Sequence, residues 1–306
     1  MPRIVVASGK GGTGKTTIAT SLALSLDSSR TLLIDCDVEA PNAHLFLQPR
    51  LERREEVGML IPEVDAPRCT ACGRCAEVCA YHAVVVIGKR VLVLPQLCHG
   101  CGSCAYNCPE QAIRERLDVM GVLEAGPTPS GVCFARGMMQ VGEAMASPII
   151  RQLKRWAGDG TSACRQAAQA GLHPDASSDG QPIVILDAPP GVSCPVVETL
   201  RGADFALLVT EPTPFGLHDL RLMVDVTREL HIPAGIVINR DGVGDGQVEA
   251  YCAAVDLPVL LRIPLERSIG EGIARGEPLV AIRPAYVASF QQLYACVESI
   301  LMETER

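Results

Sequence analysis

The chain has few aromatic residues, no excess of positive charge and no long apolar run. Only 4% of its 306 residues are Phe, Trp or Tyr, and its formal net charge is -8. Nucleic-acid binding needs clustered Lys and Arg to neutralise phosphates, so this acidic balance argues against nucleic acid as a partner. No apolar stretch approaches the roughly 20 residues that span a membrane, and no charged-then-apolar leader precedes the first predicted strand at Arg3. We therefore expect a cytoplasmic protein.

Cysteine, in contrast, is abundant. The chain holds fourteen cysteines in 306 residues. In a small secreted protein such a number would suggest disulfides, but in a large chain without a signal sequence it points to bound metal. The length is sufficient for a full α/β core together with a smaller module.

A glycine-rich stretch near the amino terminus carries the strongest motif. Residues 4–7 form an apolar run that predicts a buried strand, and residues 15–26 predict a helix, so the glycines between them form a strand-to-helix turn. Gly9 is followed after four residues by Gly-Lys-Thr, which is the P-loop pattern. Its backbone N–H groups bind phosphate, its lysine supplies a charge and its threonine hydroxyl can ligate Mg²⁺. The predicted nucleotide-binding residues are Gly9, Gly11, Gly12, Thr13, Gly14, Lys15, Thr16 and Thr17.

A dinucleotide-binding loop is the alternative for the same glycines. Gly9, Gly11 and Gly14 also spell GxGxxG, and Asp35 follows about twenty residues later, as that fold requires. The Lys-Thr pair directly after the last glycine has no function in this alternative, whereas a triphosphate with Mg²⁺ uses both residues. The motif therefore favours a nucleoside triphosphate, and we expect ATP with Mg²⁺.

Two further predicted strands end in aspartates. Residues 31–35 lead into Asp35 and Asp37, and residues 183–187 end in Asp187. Parallel sheets place their ligands at the carboxyl ends of the strands, so these carboxylates should lie beside the phosphate site. We assign Asp187 to Mg²⁺, directly or through water, because P-loop sites use an aspartate at a strand end in this way. A helix-capping role is the alternative for Asp37.

The middle of the chain contains a duplicated cysteine motif. The four cysteines Cys69, Cys72, Cys75 and Cys79 recur as Cys98, Cys101, Cys104 and Cys108, with the same CxxCxxCxxxC spacing displaced by 29 residues. Three cysteines spaced by two residues can bind one face of a cubane, and the fourth points to a neighbouring cluster. Zinc is the alternative, but zinc sites usually use two CxxC pairs rather than runs of three cysteines.

Lys10 adds a second lysine to the P-loop. With the string KGGTGKT the chain resembles the deviant Walker A ATPases, which include the MinD and ParA proteins, the Mrp-type iron-sulfur carriers and the nitrogenase iron protein. The resemblance implies that Lys10 reaches the partner's phosphates across a nucleotide-sandwich dimer. An arginine finger acts on phosphates in a similar way and is worth about 10³ to 10⁵ in rate. A solvated loop charge is the alternative for Lys10.

The same resemblance assigns roles at other strand ends. It implies that Asp37 orients the attacking water and that a second switch, DAPPG, places the backbone amide of Gly191 on the γ-phosphate. It also implies that Glu211 and Pro212 lie near the nucleotide and that Asn239 contacts adenine. Lys10, Lys15, Asp37 and Asp187 are thus the predicted catalytic residues.

The cysteine segment resembles a bacterial ferredoxin with two [4Fe-4S] clusters. That resemblance implies one cluster held by Cys69, Cys72, Cys75 and Cys108, and another held by Cys98, Cys101, Cys104 and Cys79. Cys194 lies seven residues after Asp187, an offset at which the nitrogenase iron protein has a cluster ligand. A third cluster bound by Cys194, with or without Cys133, is therefore a hypothesis that rests on spacing alone.

The predicted fold is α/β, with a doubly wound, mostly parallel P-loop NTPase sheet and a small α+β ferredoxin-like insert. We expect residues 1–64 and 118–306 to form the ATPase domain and residues 65–117 the insert. A polar face with Glu298 and Glu303 argues against a membrane anchor at the terminal helix.

The expected function is Mg-ATP hydrolysis by a homodimer, or by a heterodimer with a related ATPase. Nucleotide state would be coupled to electron transfer through two [4Fe-4S] clusters to a redox partner protein. An iron-sulfur carrier of the Mrp type and a non-redox positioning switch of the ParA or MinD type are the alternatives.

Overall fold

The computed structural model describes residues 2–158, 182–244 and 246–304. The strands in chain order are β1 (Arg3–Ala7), β2 (Thr31–Asp35), β3 (Arg53–Val64), β4 (Val84–Ile87), β5 (Arg90–Val93), β6 (Ile113–Pro127), β7 (Cys133–Met139), β8 (Ile183–Asp187), β9 (Phe205–Thr210), β10 (Ala234–Asp241) and β11 (Val259–Pro264).

The described helices alternate with these strands. They are α1 (Lys15–Ser25), α2 (Ala43–Leu47), α3 (Arg74–Glu77), α4 (Ser103–Tyr106), α5 (Ser147–Gly158), α6 (Cys194–Leu200), α7 (Pro214–Glu229), α8 (Gln247–Ala254), α9 (Arg267–Ala274), α10 (Leu279–Ile282) and α11 (Tyr286–Thr304). None of the helices within the described ranges is long and apolar enough to cross a bilayer.

The chain divides into two compact units. One comprises Met1–Arg54, Leu123–Met138 and Ile150–Arg306, and the other comprises Glu55–Val122 and Met139–Ile149. We call the first the sheet unit and the second the cysteine unit. The cysteine unit takes in more of the chain than the insert predicted at 65–117, because the boundaries fall within the long strands β3 and β6 rather than at their ends.

Nine strands of the described residues form one sheet in the order β11-β10-β9-β1-β8-β2-β7-β6-β3. The neighbours from β11 to β7 pair in parallel, with β1 between β8 and β9. Parallel strands need crossover connections; helices connect β9 to β10 and β10 to β11, whereas the connection from β2 to β7 runs through β3, the cysteine unit and β6. The predicted doubly wound parallel sheet is confirmed, and the ligand crevice of such a sheet lies at the carboxyl ends of its strands.

The core explains why β1 and α1 form where the sequence predicted them. Residues 4–7 are completely buried, as expected for a central strand covered on both faces. Ile18 and Leu22 of α1 are also fully buried and belong to the same apolar cluster as Ile4 and Phe290. Burial of this kind fixes the positions of the strand and the helix on either side of the P-loop.

The cysteine unit repeats one backbone design twice. In each half a residue with positive φ, Ala71 or Gly100, lies two positions before a glycine with positive φ, Gly73 or Gly102, which begins a one-turn helix, α3 or α4. These positions differ by the same 29 residues as the cysteines. Strands β4 and β5 form an antiparallel hairpin between the two halves. The duplication in sequence is therefore a duplication in backbone conformation.

Candidate functional site

The P-loop connects β1 to α1 at the centre of the sheet. Gly14 precedes the helix with a φ of 93°, and a Cβ on it would clash with the side-chain amide of Asn239. A Cβ on Gly9 would lie 2.5 Å from the backbone oxygen of Asp219. Both positions therefore require glycine, Gly14 because of its conformation and its neighbour and Gly9 because another segment passes too close.

Lys15 lies almost buried at the first turn of α1. Its Nζ is 3.4 Å from the backbone oxygen of Lys10, which accepts a hydrogen bond. Burial lowers the pKa of Lys15, whereas the nearby charges of Asp187 and Asp37 raise it. The ammonium group is thus held between the P-loop backbone and two carboxylates, where bound phosphate would add further negative charge.

Asp187 provides a carboxylate that lacks a partner. It ends β8 directly opposite Asp35 of β2, and among the described residues neither of its oxygens has a hydrogen-bond partner although both are buried. Burial and the Asp35 charge raise the pKa of Asp187 well above its usual range, while Thr16 and Lys15 favour its charged form. A buried carboxylate without a partner next to a P-loop threonine fits Mg²⁺, because a cation would satisfy it.

The protein ligands of this candidate Mg²⁺ site are few. Within the described ranges no group of three or more His, Cys, Asp or Glu side chains is arranged around one metal ion. Mg²⁺ usually keeps several waters and binds one or two carboxylates together with substrate phosphates. Thr16 and Asp187 are therefore an adequate protein contribution once a nucleotide supplies oxygen ligands.

Asp35 organises the loop that carries Asp37. Its carboxylate accepts hydrogen bonds from the backbone N–H groups of Asp37 at 3.1 Å, Asn42 at 3.0 Å and Ala43 at 3.0 Å. Burial raises the pKa of Asp35 to about 7, and the backbone hydrogen bonds oppose that shift. Asp35 thus shapes the loop before α2, a role that its position at the end of a predicted strand does not reveal.

Asp37 lies half-buried at the edge of the nucleotide cleft. Its own carboxylate accepts a hydrogen bond from the N–H of Ala40 at 3.3 Å, which closes a turn. Burial raises the pKa of Asp37, while Ala40 and Lys15 oppose this change. The role of Asp37 in orienting water remains a prediction. Only its Oδ1 accepts the hydrogen bond of the turn, and no backbone N–H of the described residues donates to its other oxygen.

Loss of the Asp35 carboxylate should loosen this loop. We expect Asp35→Ala to lower the free energy of unfolding by about 2–4 kcal/mol, because three N–H groups lose a charged acceptor. Urea denaturation of the full chain measures the change. Asp27→Ala is the matched control, because Asp27 also accepts hydrogen bonds but lies in an exposed turn, and it should cost under about 1 kcal/mol. Equal losses for the two variants would contradict the organising role.

Lys10 forms an ion pair within its own chain. Its Nζ lies 3.0 Å from one oxygen of Glu211, and the guanidinium of Arg240 lies 2.7 Å from the other. Arg240 also donates a hydrogen bond to the backbone oxygen of Gly12 at 3.1 Å. Lys10 is therefore not a freely solvated loop charge in this structure. No motif in the sequence predicted Arg240 as part of the site, although it stands directly after Asn239 at the end of β10.

Asn239 supports the P-loop backbone. Its Nδ2 donates to the backbone oxygen of Thr13 at 2.7 Å, and its Oδ1 accepts from the N–H of Arg240 at 3.0 Å. Asn239 also lines the cleft beside Gly14. The predicted contact with adenine stays a prediction, and the structure adds a positioning role for this side chain.

The segment after β8 holds the predicted second switch. The backbone N–H of Gly191 donates to the Ser8 oxygen at 3.1 Å, so it would have to exchange partners to reach a γ-phosphate. The following helix α6 is tied to α5, because Arg151 forms two hydrogen bonds with Glu198, at 3.0 and 2.9 Å. Pro212 follows Glu211 at the end of β9, in the loop that leads to α7.

A cleft of about 460 Å³ opens beside the P-loop. That volume lies within the range of small-molecule sites. Its phosphate end is formed by the P-loop and Asp37, and its other end is mostly apolar. The apolar end is lined by Phe46, Pro264, Leu265, Ile269 and Ile273. A polar end beside the P-loop and an apolar end in one cleft suit a nucleotide with its base in the apolar part.

The cysteines of the cysteine unit converge across the two halves of the repeat. Cys69, Cys72, Cys75 and Cys108 line one cavity. Cys79 packs against the apolar cluster that contains Cys98, and against a second cluster that contains both Cys75 and Cys104. The fourth cysteine of each motif therefore lies with cysteines of the other motif, as the ferredoxin resemblance implies, and all eight are free of disulfides.

Backbone N–H groups point at sulfur atoms in a repeated pattern. The Sγ atoms of Cys69 and Cys98 accept from residues two positions later, at 3.4 and 3.5 Å. Those of Cys79 and Cys108 accept from residues four positions later, at 3.2 and 3.3 Å. Such donors favour thiolates, which are the form that binds metal.

Burial disfavours the thiolate form of two of these cysteines. It raises the pKa of Cys75 and of Cys104, and neighbouring cysteine charges add to that effect. Several buried thiolates close together need a cation to be stable. Among the described residues no three of these thiols surround a single metal ion, whereas a cubane binds each thiolate to a different iron atom. The donor set, its burial and its N–H groups thus fit an iron-sulfur cluster.

Cys133 and Cys194 cannot share a third cluster within one chain. Cys133 begins β7 beside Leu32 near the start of β2, at the amino edge of the parallel strands. Cys194 begins α6, just beyond the carboxyl edge of β8. Cys133 is also disulfide-bonded, so it offers no thiolate to a cluster. The part of the hypothesis that joined the two cysteines is therefore wrong for a single chain, and the exposed Cys194 alone remains as a candidate.

A phosphate-binding loop between a central parallel strand and its helix, with acidic strand ends beside it, defines a P-loop nucleotide-binding protein. Comparison with protein families makes the assignment specific. The chain belongs to the CobQ/CobB/MinD/ParA nucleotide binding domain family, whose model matches residues 4–279.

Relatives and solved structures agree with this assignment. The chain is 30% identical over 276 residues to an uncharacterised protein of Methanocaldococcus jannaschii, which covers 90% of both chains. The fold matches that of the cell division ATPase MinD of Pyrococcus furiosus with a TM-score of 0.55 and 20% identity, covering 98% of this chain and 99% of that one. At this identity the match shows the fold alone.

Iron-sulfur proteins also appear among the partial relatives. The chain is 37% identical over 54 residues to an uncharacterised ferredoxin of Methanocaldococcus jannaschii, which is 16% of this chain and 70% of that protein. It is 27% identical over 116 residues to an iron-sulfur cluster carrier protein of Aquifex aeolicus, which is 33% of this chain and 32% of that protein. The chain thus combines a MinD/ParA-type domain with a ferredoxin-like segment.

Proposed function

We propose that this chain hydrolyses Mg-ATP between two subunits and that its nucleotide state controls electron transfer through two [4Fe-4S] clusters. The second subunit is another copy of the chain or a related ATPase. One observation carries the proposal: the chain that holds the P-loop cleft also brings the fourth cysteine of each motif to cysteines of the other motif. A nucleotide site and two cluster sites serve one function in the same polypeptide if the bound nucleotide controls electron transfer through the clusters.

The nucleotide chemistry follows from the strand ends around the cleft. P-loop N–H groups and Lys15 bind the phosphates, and Thr16 and Asp187 hold Mg²⁺. Asp37, positioned by the loop that Asp35 organises, accepts a hydrogen bond from the attacking water. Negative charge develops on the phosphoryl group during its transfer, and a further positive charge stabilises it. Lys10 of the second subunit supplies that charge.

Lys10 must leave Glu211 before it can serve the other subunit. Its side chain is 33% exposed, so breaking this ion pair costs little. Arg240 remains on Glu211, which keeps the buried carboxylate neutralised after Lys10 has moved. Lys10 is thus paired with Glu211 in the open state, before the two subunits close.

Removal of the Glu211 charge should favour the closed dimer. We expect Glu211→Gln to lower the protein concentration needed for dimerisation by about 2- to 5-fold, because Lys10 no longer has an ion pair to break. Sedimentation velocity with a non-hydrolysable ATP analogue measures this change. Glu229→Gln, an exposed carboxylate on α7, is the control. If Glu211→Gln dimerises at the same or a higher protein concentration than the wild type, the ion pair with Glu211 does not oppose dimerisation, and this role of Glu211 is wrong.

The two cysteine sets supply one-electron redox chemistry when clusters are bound. The residues of this chain tune that chemistry through the N–H groups that donate to Cys69, Cys79, Cys98 and Cys108. Hydrogen bonds to the sulfur atoms stabilise the additional negative charge of a reduced cluster, and the burial of Cys75 and Cys104 limits the access of water.

Anaerobic electron transfer with and without nucleotide tests the coupling. The dithionite-reduced full chain is mixed with a dye acceptor in the presence of Mg-ATP, Mg-ADP or no nucleotide. We expect the rate with ATP to differ from the other two, and Lys15→Ala to abolish the difference. Identical rates in all three conditions would contradict the control of electron transfer by nucleotide.

An iron-sulfur carrier is the second candidate, and one observation favours it. Cys72 and Cys101, the second cysteine of each motif, are exposed to solvent. Exposed ligands make release of a cluster easier, and the partial relative from Aquifex aeolicus is described as an iron-sulfur cluster carrier protein. Incubation of the loaded chain with an apo-ferredoxin distinguishes the two: complete transfer of iron within minutes favours a carrier, and retention favours electron transfer.

A further inference from the structure

The hairpin β4–β5 of the cysteine unit has apolar side chains on both faces. Val84 pairs with Val93, Val85 with Leu92 and Val86 with Val91. Successive side chains on a strand point to opposite faces. One face, which carries Val84, Val86 and Val91, packs against Cys75, Cys79 and Cys104. We call this the inner face, and its contacts include cysteines of both predicted cluster sets.

The opposite face is exposed. Val85 is 38% exposed, Ile87 61%, Leu92 45% and Leu94, directly after β5, 38%. We call these four residues the hairpin strip. A sheet face that meets water is normally polar, so that apolar and polar residues alternate along its strands. Single exposed apolar residues are common, but Val85 and Leu92 lie directly opposite each other and form one continuous surface with their neighbours.

The turn of the hairpin carries two positive charges. Lys89 and Arg90 are exposed, and neither forms an ion pair with any residue that the structure describes. The other arginines of the cysteine unit each lie beside a carboxylate. These are Arg68 and Arg114 beside Asp65, Arg74 beside Glu77 and Arg116 beside Asp118. The hairpin turn thus presents positive charge that the cysteine unit itself does not neutralise.

We propose that the hairpin strip and the Lys89–Arg90 turn are the docking surface for an acidic electron-transfer protein. This inference rests on the proposed function and names its partner class. The partner has an apolar patch bordered by Asp and Glu side chains, which would cover the strip and pair with the two cations. A protein seated there is separated from the cysteines only by the thickness of one sheet layer, about 10 Å.

The position of the strip gives it access to both redox sites. The inner face touches Cys75 of one predicted set and Cys79 and Cys104 of the other. One electron leaves the reduced chain, which becomes oxidised, and reduces one metal centre of the partner, with no proton transferred. The docking step needs no nucleotide contact, so it can be examined separately from ATP control.

Binding to a protein of known charge tests the surface directly. The probe is a plant plastocyanin, an acidic blue-copper protein, and the basic cytochrome c is the opposite-charge comparison. Calorimetric titration of the oxidised full chain with oxidised plastocyanin measures affinity without electron transfer. We expect Lys89→Glu/Arg90→Glu to weaken binding at low salt by at least about fivefold, and Ile87→Gln to weaken it as well.

Matched variants separate position from net charge. Arg114→Glu/Arg116→Glu makes the same change in charge within the same unit, and Met302→Gln removes an exposed apolar side chain from α11. Both should bind plastocyanin as the wild type does. Equal weakening by the two charge reversals, or no weakening by the hairpin variants, would overturn the proposal. A wild-type dimer that Ile87→Gln dissociates in sedimentation would also overturn it, because a second copy would then cover the strip.

Electron transfer gives a second measurement on the same variants. The reduced chain should reduce plastocyanin more slowly when Lys89 and Arg90 are reversed, and reduce cytochrome c at least as fast as before. Iron content and dye reduction should remain at wild-type values, which shows that the clusters are intact. If nucleotide changes none of the rates but the hairpin variants still slow plastocyanin, ATP control fails and the docking surface stands. If nucleotide control is present and the hairpin variants match wild type, only the docking surface fails.

Discussion

Cys108→Ser should remove iron from the site formed by the first cysteine motif, although Cys108 belongs to the second. Cys108 lines the same cavity as Cys69, Cys72 and Cys75. A cubane that loses one of four thiolates is poorly held, so we expect iron to fall from about eight to about four atoms per chain after anaerobic reconstitution. Iron and sulfide analysis of the purified variant measures this loss.

The crossed assignment makes a sharper prediction for paired variants. Cys69→Ser and Cys108→Ser should leave the same EPR signal in the reduced protein, because both remove the same cluster. Cys79→Ser and Cys98→Ser should leave the other signal, since Cys79 packs against Cys98. If Cys108→Ser and Cys98→Ser instead leave the same EPR signal, each motif binds its own metal centre and the crossed assignment is wrong.

Exposed cysteines outside the motifs provide the control. Cys194 and Cys296 are both exposed and lie in the sheet unit. Replacing Cys296 by serine should leave eight irons, within error, because no cluster is assigned to it. Cys194→Ser should do the same if this residue binds no third cluster, and a loss of iron in this variant alone would revive that hypothesis.

Local patterns predicted the parts of the site that lie close together in sequence. The strand predicted at residues 4–7 is observed at Arg3–Ala7, and the helix predicted at 15–26 is observed at Lys15–Ser25. The apolar run and the glycines determine these elements locally, and the parallel sheet then follows from repeated alternation of strands and helices. The cysteine spacing also predicted a repeat, and the positive-φ positions of the cysteine unit recur after the same 29 residues.

Contacts between distant segments were not predictable in the same way. Lys10 and Glu211 are 201 residues apart in sequence, and their contact depends on the pairing of β1 with β9. Arg240 joins them from β10, which pairs with β9. No periodicity in the sequence specifies which strand ends become neighbours, so this charge cluster required the sheet order.

Asp35 illustrates a second limit of sequence reasoning. Asp35 and Asp37 follow the same strand two residues apart, and composition does not distinguish their functions. The structure distinguishes the functions of the two aspartates. Asp35 is completely buried and binds the loop backbone, whereas Asp37 lines the cleft. Burial at the end of a strand depends on the neighbouring strands and on the return of the chain, which are properties of the tertiary structure.

Lys10→Ala should reduce ATP hydrolysis by about 10³- to 10⁵-fold while ATP still binds. Lys15 and the P-loop backbone remain in place to hold the phosphates, and Arg240 still neutralises Glu211. Lys15→Ala should instead lose nucleotide binding, because it removes the phosphate-binding charge itself. Equilibrium binding of a fluorescent ATP analogue and steady-state phosphate release distinguish these two defects.

A mixture of two inactive variants tests whether Lys10 acts on the other subunit. Asp37→Ala lacks the water-orienting carboxylate but keeps Lys10, whereas Lys10→Ala keeps Asp37. In a mixed dimer, ATP on the Lys10→Ala subunit would have its own Asp37 and the Lys10 of its partner, so one complete site is restored. We expect the equimolar mixture to recover roughly a quarter of the wild-type rate, because half of randomly paired dimers are mixed and each has one complete site of two. A mixture as inactive as its components, with dimers present in sedimentation, would mean that Lys10 acts within its own chain, and its contact with Glu211 would then be part of the active state.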